Sequence, residues 1–340
     1  MWFEKLMGFN EVNPDQVCSL ITVSGESLVS KINGSAWSFG CFEIPSLKEL
    51  RLRCTNQFAG NGRIQVSEQI AGVISLHQDT ANNGAVFQVA SQFNLLEMVS
   101  PSVIPEDGVG RYEYDRTQGP ACAIACGAAT IFRNYFVDVN GQTGQTRHHQ
   151  IDCLDEIGQA LGNVNNRLWE MRNGYALATS HGLKTINACL KEYSAEQYDA
   201  LKQKLRVGIH WNTEVTVGEK GNSVTQVFCS ALPVAYSDVD PTLWERFSRL
   251  VLEAAYEATF CAAMINLAET GNNKLFLTLL GGGAFGNRIE WILDAIDHAI
   301  VRFSEFPLDV RIVSYGSSNQ HVARWIESFK RKSGNYNDTH

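Results

Sequence analysis

The sequence predicts an α/β protein, a three-layer α/β/α sandwich whose central sheet is mostly parallel or mixed. Short, wholly apolar runs, of the kind seen in buried parallel strands, recur along the chain. They alternate with longer stretches in which apolar residues return every three or four positions, as on amphipathic helices. At 340 residues the chain is long enough for one such domain enlarged by additions.

Composition narrows the classes of partner. The formal net charge of −8 argues against nucleic acid or an anionic membrane, because both are themselves negatively charged. No apolar run has the length of a membrane span. The nine cysteines include no Cys-x-x-Cys pair, which predicts free thiols in a reducing compartment. The expected location is therefore cytoplasmic, or a host cytosol if the chain is a secreted effector. His148 and His149 lack partners at ligand spacing, so we expect no metal and no cofactor.

The N-terminal region, residues 1–62, is predicted to be a β-rich extension. An Asn33-Gly34 pair between two strand-like runs is the strongest short-range signal for a β-hairpin. The rest of the chain divides into a main domain over 63–330, a helical insertion at about 140–205 and a polar tail over 331–340.

The first half of the main domain predicts a strand, a long loop and a helix. The run AVFQVASQFN indicates a buried strand that ends at Asn94. A polar loop with two prolines follows, and a loop of this length is usually functional or disordered. The helix is expected to begin at Thr117 or Gly119, with Pro120 in the first helical position, and to continue to Phe136.

The second half supplies the remaining strands. Ser194 with Gln197 has the spacing of a capping box, which predicts a helix start. The run 207–217 alternates with period two and is expected to form a hairpin with the run after Asn222. A long helix begins at Pro241, and an apolar strand, a glycine-rich loop, a helix and a last strand then complete the pattern.

The glycine-rich loop in LLGGGAFGN matches G-x-G-x-x-G through Gly281, Gly283 and Gly286. Glycines at such a turn let the backbone approach phosphate oxygens closely. A dinucleotide-binding site also requires an acidic residue at the end of the next strand to hold the ribose. That strand ends in Ser314-Tyr315-Gly316, so an NAD-dependent oxidoreductase is disfavoured.

Four stretches carry a resemblance to a known family: QVASQFNLLEMVSP, EDGVGRYEYDRTQGPACAIACGAATIFRNYF, LWEMRNGYAL and LLGGGAFGN. Together they resemble divergent macrodomains of the MavL-like class, whose members remove ADP-ribose from arginine. The resemblance extends over most of the chain. The first loop departs from ordinary macrodomains because it lacks their Asn-Ala-Ala-Asn and polyglycine signature.

The resemblance implies that two loops bind ADP-ribose, with Asn94 next to the scissile bond. The implied ligand-binding residues come from both loops and from the residues beside them: Phe93, Tyr112, Arg116, Thr117, Gln118, Gly119, Gly281, Gly282, Gly283, Ala284, Phe285, Gly286 and Asn287.

Cleavage of an arginine N-glycosidic bond requires carboxylates, which activate water and pair with the guanidinium. The candidate acids are Glu97, Asp107, Glu113 and Asp115. Glu113 and Asp115 are favoured for guanidinium recognition and water activation, and which of the two has which role stays open. For each of them a solvated loop carboxylate is the equally ordinary interpretation. The leading hypothesis is an ADP-ribosyl-arginine hydrolase with ADP-ribose and an ADP-ribosylated protein as partners. A non-catalytic ADP-ribose reader is the alternative.

Overall fold

A computed structural model describes residues 1–55 and 62–334. The strands are β1 (Ile21–Ser24), β2 (Ser27–Ser30), β3 (Ala36–Ser38), β4 (Cys41–Glu43), β5 (Gln65–Ile70), β6 (Val86–Ala90), β7 (Asp138–Val139), β8 (Gln142–Thr143), β9 (Trp169–Arg172), β10 (Tyr175–Ala178), β11 (Gly208–Glu214), β12 (Ser223–Cys229), β13 (Lys274–Leu277) and β14 (Asp309–Ser314).

The α-helices alternate with these strands through most of the chain. They are α1 (Trp2–Met7), α2 (Pro14–Leu20), α3 (Leu47–Thr55), α4 (Val73–Gln78), α5 (Gln118–Ala125), α6 (Gly127–Tyr135), α7 (Asp155–Leu161), α8 (Ser180–Glu192), α9 (Ala195–Lys202), α10 (Pro241–Thr270), α11 (Ile289–Arg302) and α12 (Gln320–Gly334).

The central sheet has seven strands in the order β4-β11-β12-β6-β13-β14-β5. The five strands from β12 to β5 are mutually parallel, whereas β11 runs antiparallel to both β12 and β4. Helices cover both faces. On one face Gln88 of β6 donates to Thr259 of α10, and on the other Phe87 stacks on His77 of α4. The prediction of a three-layer α/β sandwich with a mixed sheet is therefore confirmed.

Helix α10 forms the centre of one core. By length and composition it is apolar enough to cross a membrane, but 94% of its most apolar 18-residue window is buried inside the protein. Its neighbours α3, α8, α9 and α11 pack around it. The opposite core lies between the sheet and α1, α4, α5 and α6.

The N-terminal region contributes to both a small sheet and the central one. Strands β2 and β3 form the expected hairpin around Asn33-Gly34, and β1 adds a third strand. Strand β4 instead joins the central sheet by pairing with β11. The division of the chain at residue 62 stays a prediction. Part of that extension (56–61) and most of the predicted tail lie outside the described residues, and α12 runs to Gly334.

Three local predictions were wrong. Strand β6 ends at Ala90, and the chain then turns through Leu95 (φ 64°), so Asn94 lies in a turn. The helix predicted to run to Phe136 is broken at Cys126 (φ −118°, ψ 63°), where the carbonyl of Ala125 accepts from the N–H of Thr216 and the N–H of Gly127 donates to the Thr216 hydroxyl. Pro120 is the third residue of α5 and not its first, although Thr117 is the N-cap, as one of the two predicted starts had it.

Other departures are smaller. The alternation in β11 is interrupted by a bulge between His210 and Thr213. The first loop contains two short 3₁₀ helices, Pro105–Asp107 and Gly110–Tyr114. The helical insertion has α7, α8 and α9, and it also carries the β9–β10 hairpin, which turns at Asn173 and Gly174. The capping box of Ser194 and Gln197 is confirmed at the start of α9.

Candidate functional site

Two loops meet at the carboxyl ends of the parallel strands. One follows β6 and continues to Thr117, and the other follows β13 and continues to Arg288. Since β6 and β13 are adjacent, their loops lie side by side, where ligands bind in open α/β sheets. A cavity of about 600 Å³ lies between them.

The glycine loop needs glycine at some positions for shape. Gly281 (φ +72°) has no room for a side chain, because a Cβ there would lie 2.4 Å from that of Ala231. Gly286 (φ +72°) is similarly close to Ala235. The Asn287 side chain donates to the carbonyl of Leu232, and its backbone N–H donates to Gly281, which closes the loop. Gly283 differs, because a Cβ there would meet nothing within 4 Å.

Both loops present unpaired backbone donors to the cavity. Within the described residues, the N–H groups of Gly283, Ala284 and Phe285 have no hydrogen-bond partner. The same holds at the start of α5 for Gln118 and Gly119, since the Thr117 side chain makes no capping bond. All five residues line the first cavity. Unpaired N–H groups at a helix N-terminus and in a glycine-rich loop favour a bound anion.

Glycine at position 119 lets α5 start directly on the end of β6. A Cβ at Gly119 would lie 2.0 Å from the carbonyl oxygen of Ala90. The Gln118 side chain fixes the same junction by accepting from the N–H of Ala90 and donating to the carbonyl of Gln88. The first turn of α5 is thereby held next to the glycine loop.

A second cavity, of about 950 Å³, continues the cleft across the sheet towards β5. The two cavities share Asp115–Gln118, Thr278 and Leu279 as lining residues. The segments after β5 and β14 form the far side of the second cavity, where Tyr315 is 87% exposed. The cleft therefore extends over the ends of four adjacent strands.

Of the candidate acids, Asp115 is the half-exposed carboxylate that lines both cavities. Its Oδ1 accepts from the N–H of Thr117 at 2.9 Å, which fixes the turn into α5. Burial, then Tyr236 and then the charge of Asp115 raise the pKa of the Tyr175 phenol. Asp115 thus lies at the junction of the two cavities beside the unpaired donors.

Glu97 lies beneath the first cavity. Its side chain and that of Arg133 are both fully inaccessible, and an Arg133 Nη is 3.1 Å from Glu97 Oε1. Burial raises the pKa of Glu97 to about 7, against the opposing effects of Arg133 and Tyr112. Arg133 also lies 3.6 Å over the Phe228 ring and donates to the carbonyl of Leu95. The Glu97–Arg133 pair and the hydrogen bond from Arg133 to Leu95 thereby fix the backbone of residues 94–98.

The other candidate acids lie elsewhere. Glu113 lines the second cavity and accepts from the N–H of Trp2 at 3.1 Å. Asp107 lines neither cavity, and its carboxylate accepts from the N–H of Ile104 within its own turn. Its exposed side chain also lies 3.7 Å from Arg111, a weak surface pair.

Several ligand-binding candidates support the site from outside the cavity. Asn94 is fully buried and donates to Gln150, while Phe93 and Tyr112 are buried in the cores. Tyr112 accepts from the N–H of Glu97 at 2.9 Å. The candidates that line neither cavity are Phe93, Asn94, Asp107, Tyr112, Gly282, Gly286 and Asn287. Those that line the first cavity are Glu97, Asp115, Arg116, Thr117, Gln118, Gly119, Gly281, Gly283, Ala284 and Phe285.

Three aromatic rings from separate segments meet at one wall of the first cavity. The centroids of Tyr175, Tyr236 and Phe285 are 5.0 to 5.5 Å apart. Tyr175 comes from the β9–β10 hairpin and donates to the carbonyl of Met98 at 2.7 Å. Sequence reasoning missed Tyr236, and it also missed Ser91 and Gln92. A signal for these last two exists, since they directly follow a parallel strand.

A dinucleotide-binding site would have an acidic residue for the ribose at the end of the strand that follows the glycine loop. That strand, β14, ends at Ser314. The adjacent β5 supplies Glu68, which accepts from Ser314, Ser318 and the N–H of Asn319 at 2.6 Å each. Burial opposes ionisation of Glu68, but these three hydrogen bonds lower its pKa overall. Its carboxylate is thus engaged in shaping the loop.

Among residues 1–55 and 62–334, no group of three His, Cys, Asp or Glu side chains is arranged to hold a metal ion. All nine cysteines are free thiols.

No protein-family model and no curated protein matches the sequence. Among solved structures, the chain is similar to poly(ADP-ribose) glycohydrolase from Thermomonospora curvata bound to the inhibitor ADP-HPD, at 11% identity and a TM-score of 0.45 over 94% of this chain and 97% of that one. It is also similar to poly(ADP-ribose) glycohydrolase from Deinococcus radiodurans in complex with ADP-ribose, at 10% identity and a TM-score of 0.44 over 85% and 95%.

Proposed function

We propose that this protein is a hydrolase that removes mono-ADP-ribose from arginine side chains, and that the cleft between the two loops is its active site. The observation that carries the proposal is the meeting of unpaired N–H groups from both loops in one cavity, with Asp115 beside them. An anion-binding wall next to a carboxylate suits a ligand that has both a diphosphate and a bond to be hydrolysed.

In the proposed complex the diphosphate lies between Gly283–Phe285 and the first turn of α5. Both elements line the first cavity, and the α5 N-terminus adds the positive end of its dipole. The adenosine extends into the second cavity towards Tyr315, whose exposed ring offers a stacking surface. The distal ribose then lies against Phe285, close to Asp115.

The reaction is a displacement at the anomeric carbon C1 of that ribose. A water oxygen forms a bond to C1 while the bond from C1 to the guanidinium nitrogen breaks and its electron pair goes to nitrogen. Asp115 accepts the proton that the water loses and returns it to the leaving guanidine, so atoms and charge balance. Positioned proton transfer of this kind contributes about 10²- to 10⁴-fold to a rate.

Arginine is proposed as the acceptor because its guanidinium fits the wall that surrounds Asp115. A carboxylate meets the guanidinium fork with paired hydrogen bonds, and aromatic faces attract the cation. Asp115, Tyr175 and Tyr236 lie together on that wall. A serine O-glycosidic or glutamate ester linkage carries no cation for Tyr175 and Tyr236 to attract.

Incubation with mono-ADP-ribosylated peptides that differ only in linkage tests the proposal. We expect release of ADP-ribose from the arginine-linked peptide and none above background from the serine- and glutamate-linked peptides, measured by mass spectrometry. Tight ADP-ribose binding by calorimetry without release from any linkage would instead establish a reader. Release from another linkage alone would contradict the arginine assignment while keeping the hydrolase.

A further inference from the structure

The acidic loop that carries Asp115 is held in place by the N-terminal arm, residues 1–20. This arm comprises α1, α2 and the turn between them, which lie against the 3₁₀ helix Gly110–Tyr114 and α6. The regular structure of the acidic loop, residues 104–117, consists of two short 3₁₀ helices, Pro105–Asp107 and Gly110–Tyr114. A loop of this kind relies on tertiary contacts for a single conformation.

One carboxylate in the arm gathers three donors. Glu11 Oε1 accepts from the N–H of Val109 at 2.9 Å and from the hydroxyl of Tyr135 at 2.6 Å. Glu11 Oε2 accepts from the N–H of Gly110 at 2.5 Å. Two successive loop amides are thereby fixed by one ionised side chain that is anchored to α6. Charge-assisted hydrogen bonds of this type are stronger than neutral ones.

The loop sequence is shaped to admit this carboxylate. A Cβ at Gly108 would lie 2.6 Å from Glu11 Oε2, and a Cβ at Gly110 would lie 2.7 Å from the same atom. Gly108 also has a φ of +84°. Side chains at these two positions would displace the carboxylate, so both glycines serve the contact with the arm.

A second set of contacts joins the same surfaces. The backbone N–H of Trp2 donates to Glu113 at 3.1 Å, and its indole N–H donates to the carbonyl of Val109 at 3.3 Å. Phe3 and Met7 are fully buried in the core that also contains Val109 and Tyr112. Apolar burial thus holds the arm against the loop, and Glu11 fixes the register of the contact.

We propose that Glu11 is a positioning residue for the active site. By fixing Val109 and Gly110 it sets the course of the loop through Tyr112, whose hydroxyl meets the N–H of Glu97, to Asp115 at the cleft. The effect on turnover rests on the proposed function. The effect on loop order does not, because it follows from the ligand-free contacts alone.

Amide hydrogen exchange on the full chain tests the proposal. In Glu11→Gln an amide N–H₂ would face a crowd of donors, so we expect exchange over 104–117 to accelerate about tenfold or more while the central strands exchange as in the parent. Gly110→Ala should accelerate exchange over 104–117 in the same way without changing Glu11. This variant replaces Glu11→Gln in the experiment if Glu11→Gln does not fold. Glu4→Gln is the matched control, since Glu4 is an exposed acid of the same arm whose carboxylate, within the described residues, is paired only with the Met1 amine.

Turnover of an arginine-linked substrate gives the second readout. We expect kcat to fall at least about tenfold in Glu11→Gln and Gly110→Ala, with KM changed less than about threefold, because the anion-binding backbone of the glycine loop is untouched. Unchanged exchange over 104–117 in both folded variants would overturn the positioning role. If the parent protein releases no ADP-ribose, the proposed function fails, and the exchange result still decides the role of Glu11.

Discussion

Asp115 differs from the other acids of its loop in location. Asp107 and Glu113 are also within that loop, but the first caps its own turn and the second is bound to the arm through Trp2. Asp115 alone among these three lines both cavities. A solvated loop carboxylate and a catalytic one have the same sequence signature, and only the surroundings distinguish them.

Asp115→Asn is therefore expected to slow release from arginine by about 10²-fold or more, because the amide cannot accept the proton from water. The affinity for ADP-ribose should change less than about threefold, since the product lacks the guanidinium. Rate and affinity are measured by single-turnover assay and calorimetry. Asp107→Asn is the matched control and should retain the parent rate. If Asp115→Asn released ADP-ribose as fast as the parent and Asp107→Asn do, Asp115 would have no part in the mechanism.

A second prediction at the residue scale concerns His77, which is fully buried against Phe87. Its Nδ1 lies 2.7 Å from the carbonyl of Val73, and its Nε2 lies 3.1 Å from the amide nitrogen of Gln226. These partners suit a neutral ring that donates through Nδ1 and accepts at Nε2. Burial lowers its pKa from 6.5 to about 4, although the hydrogen bond to Val73 opposes the shift.

Because the unfolded chain binds the His77 proton more tightly, the free energy of unfolding should fall as the pH drops from 6.5 towards 4. At 1.36 kcal/mol per unit the contribution is about 3 kcal/mol. In urea unfolding at several pH values, the free energy of unfolding of His77→Gln should decrease less between pH 6.5 and 4 than that of the parent. Identical slopes would mean that His77 does not control acid stability. Glu97 acts in the opposite direction, because its raised pKa favours the folded state at low pH.

At the scale of elements, different glycines of the glycine-rich loop have different roles: some are required for the loop conformation and others leave space for a ligand. Gly281 has a left-handed backbone and a blocked Cβ position, whereas Gly283 has open space in front of it. Gly281→Ala should therefore lower the free energy of unfolding by about 2 kcal/mol or more. Gly283→Ala should leave that free energy within about 1 kcal/mol of the parent.

Gly283→Ala should nevertheless weaken ADP-ribose binding at least about tenfold, since the new methyl group enters the space proposed for the diphosphate. Urea unfolding and calorimetry on the two variants measure the two effects. Normal affinity in a folded Gly283→Ala protein would place the diphosphate elsewhere. Together, Gly281→Ala and Gly283→Ala test whether the glycine loop forms one side of the proposed diphosphate site.

Elements were predictable where local signals decide them. The Asn33-Gly34 hairpin, the capping box at Ser194 and the long helix from Pro241 each follow from turn chemistry or apolar spacing. The break at Cys126 does not, because the backbone groups at the break pair with Thr216, which is remote in the sequence. Tertiary contacts of this kind leave no local signature.

At the scale of the whole molecule, the site was predictable as two loops and not as a complete cavity. Adjacent parallel strands bring their following loops together, which accounts for Asp115–Gly119 and Gly281–Phe285. Tyr236 and Tyr315 reach the cleft from turns whose relative positions depend on strand order. Asn94, which the resemblance places next to the scissile bond, is buried by the β9–β10 hairpin, since Gly174 lies against it.

The fold also explains why an N-terminal region is close to the cleft. The arm packs on α6 and on the acidic loop, and β4 extends the central sheet at the far edge. The N-terminal region thus contacts the loop that supplies the proposed catalytic acid.

The most direct test is a crystal structure of the Asp115→Asn variant with an ADP-ribosyl-arginine peptide. We predict phosphate oxygens within about 3 Å of the N–H groups of Gly283, Ala284, Phe285, Gln118 or Gly119, and position 115 beside the anomeric carbon. A nucleotide bound outside the cleft, or an anomeric carbon remote from position 115, would contradict the account.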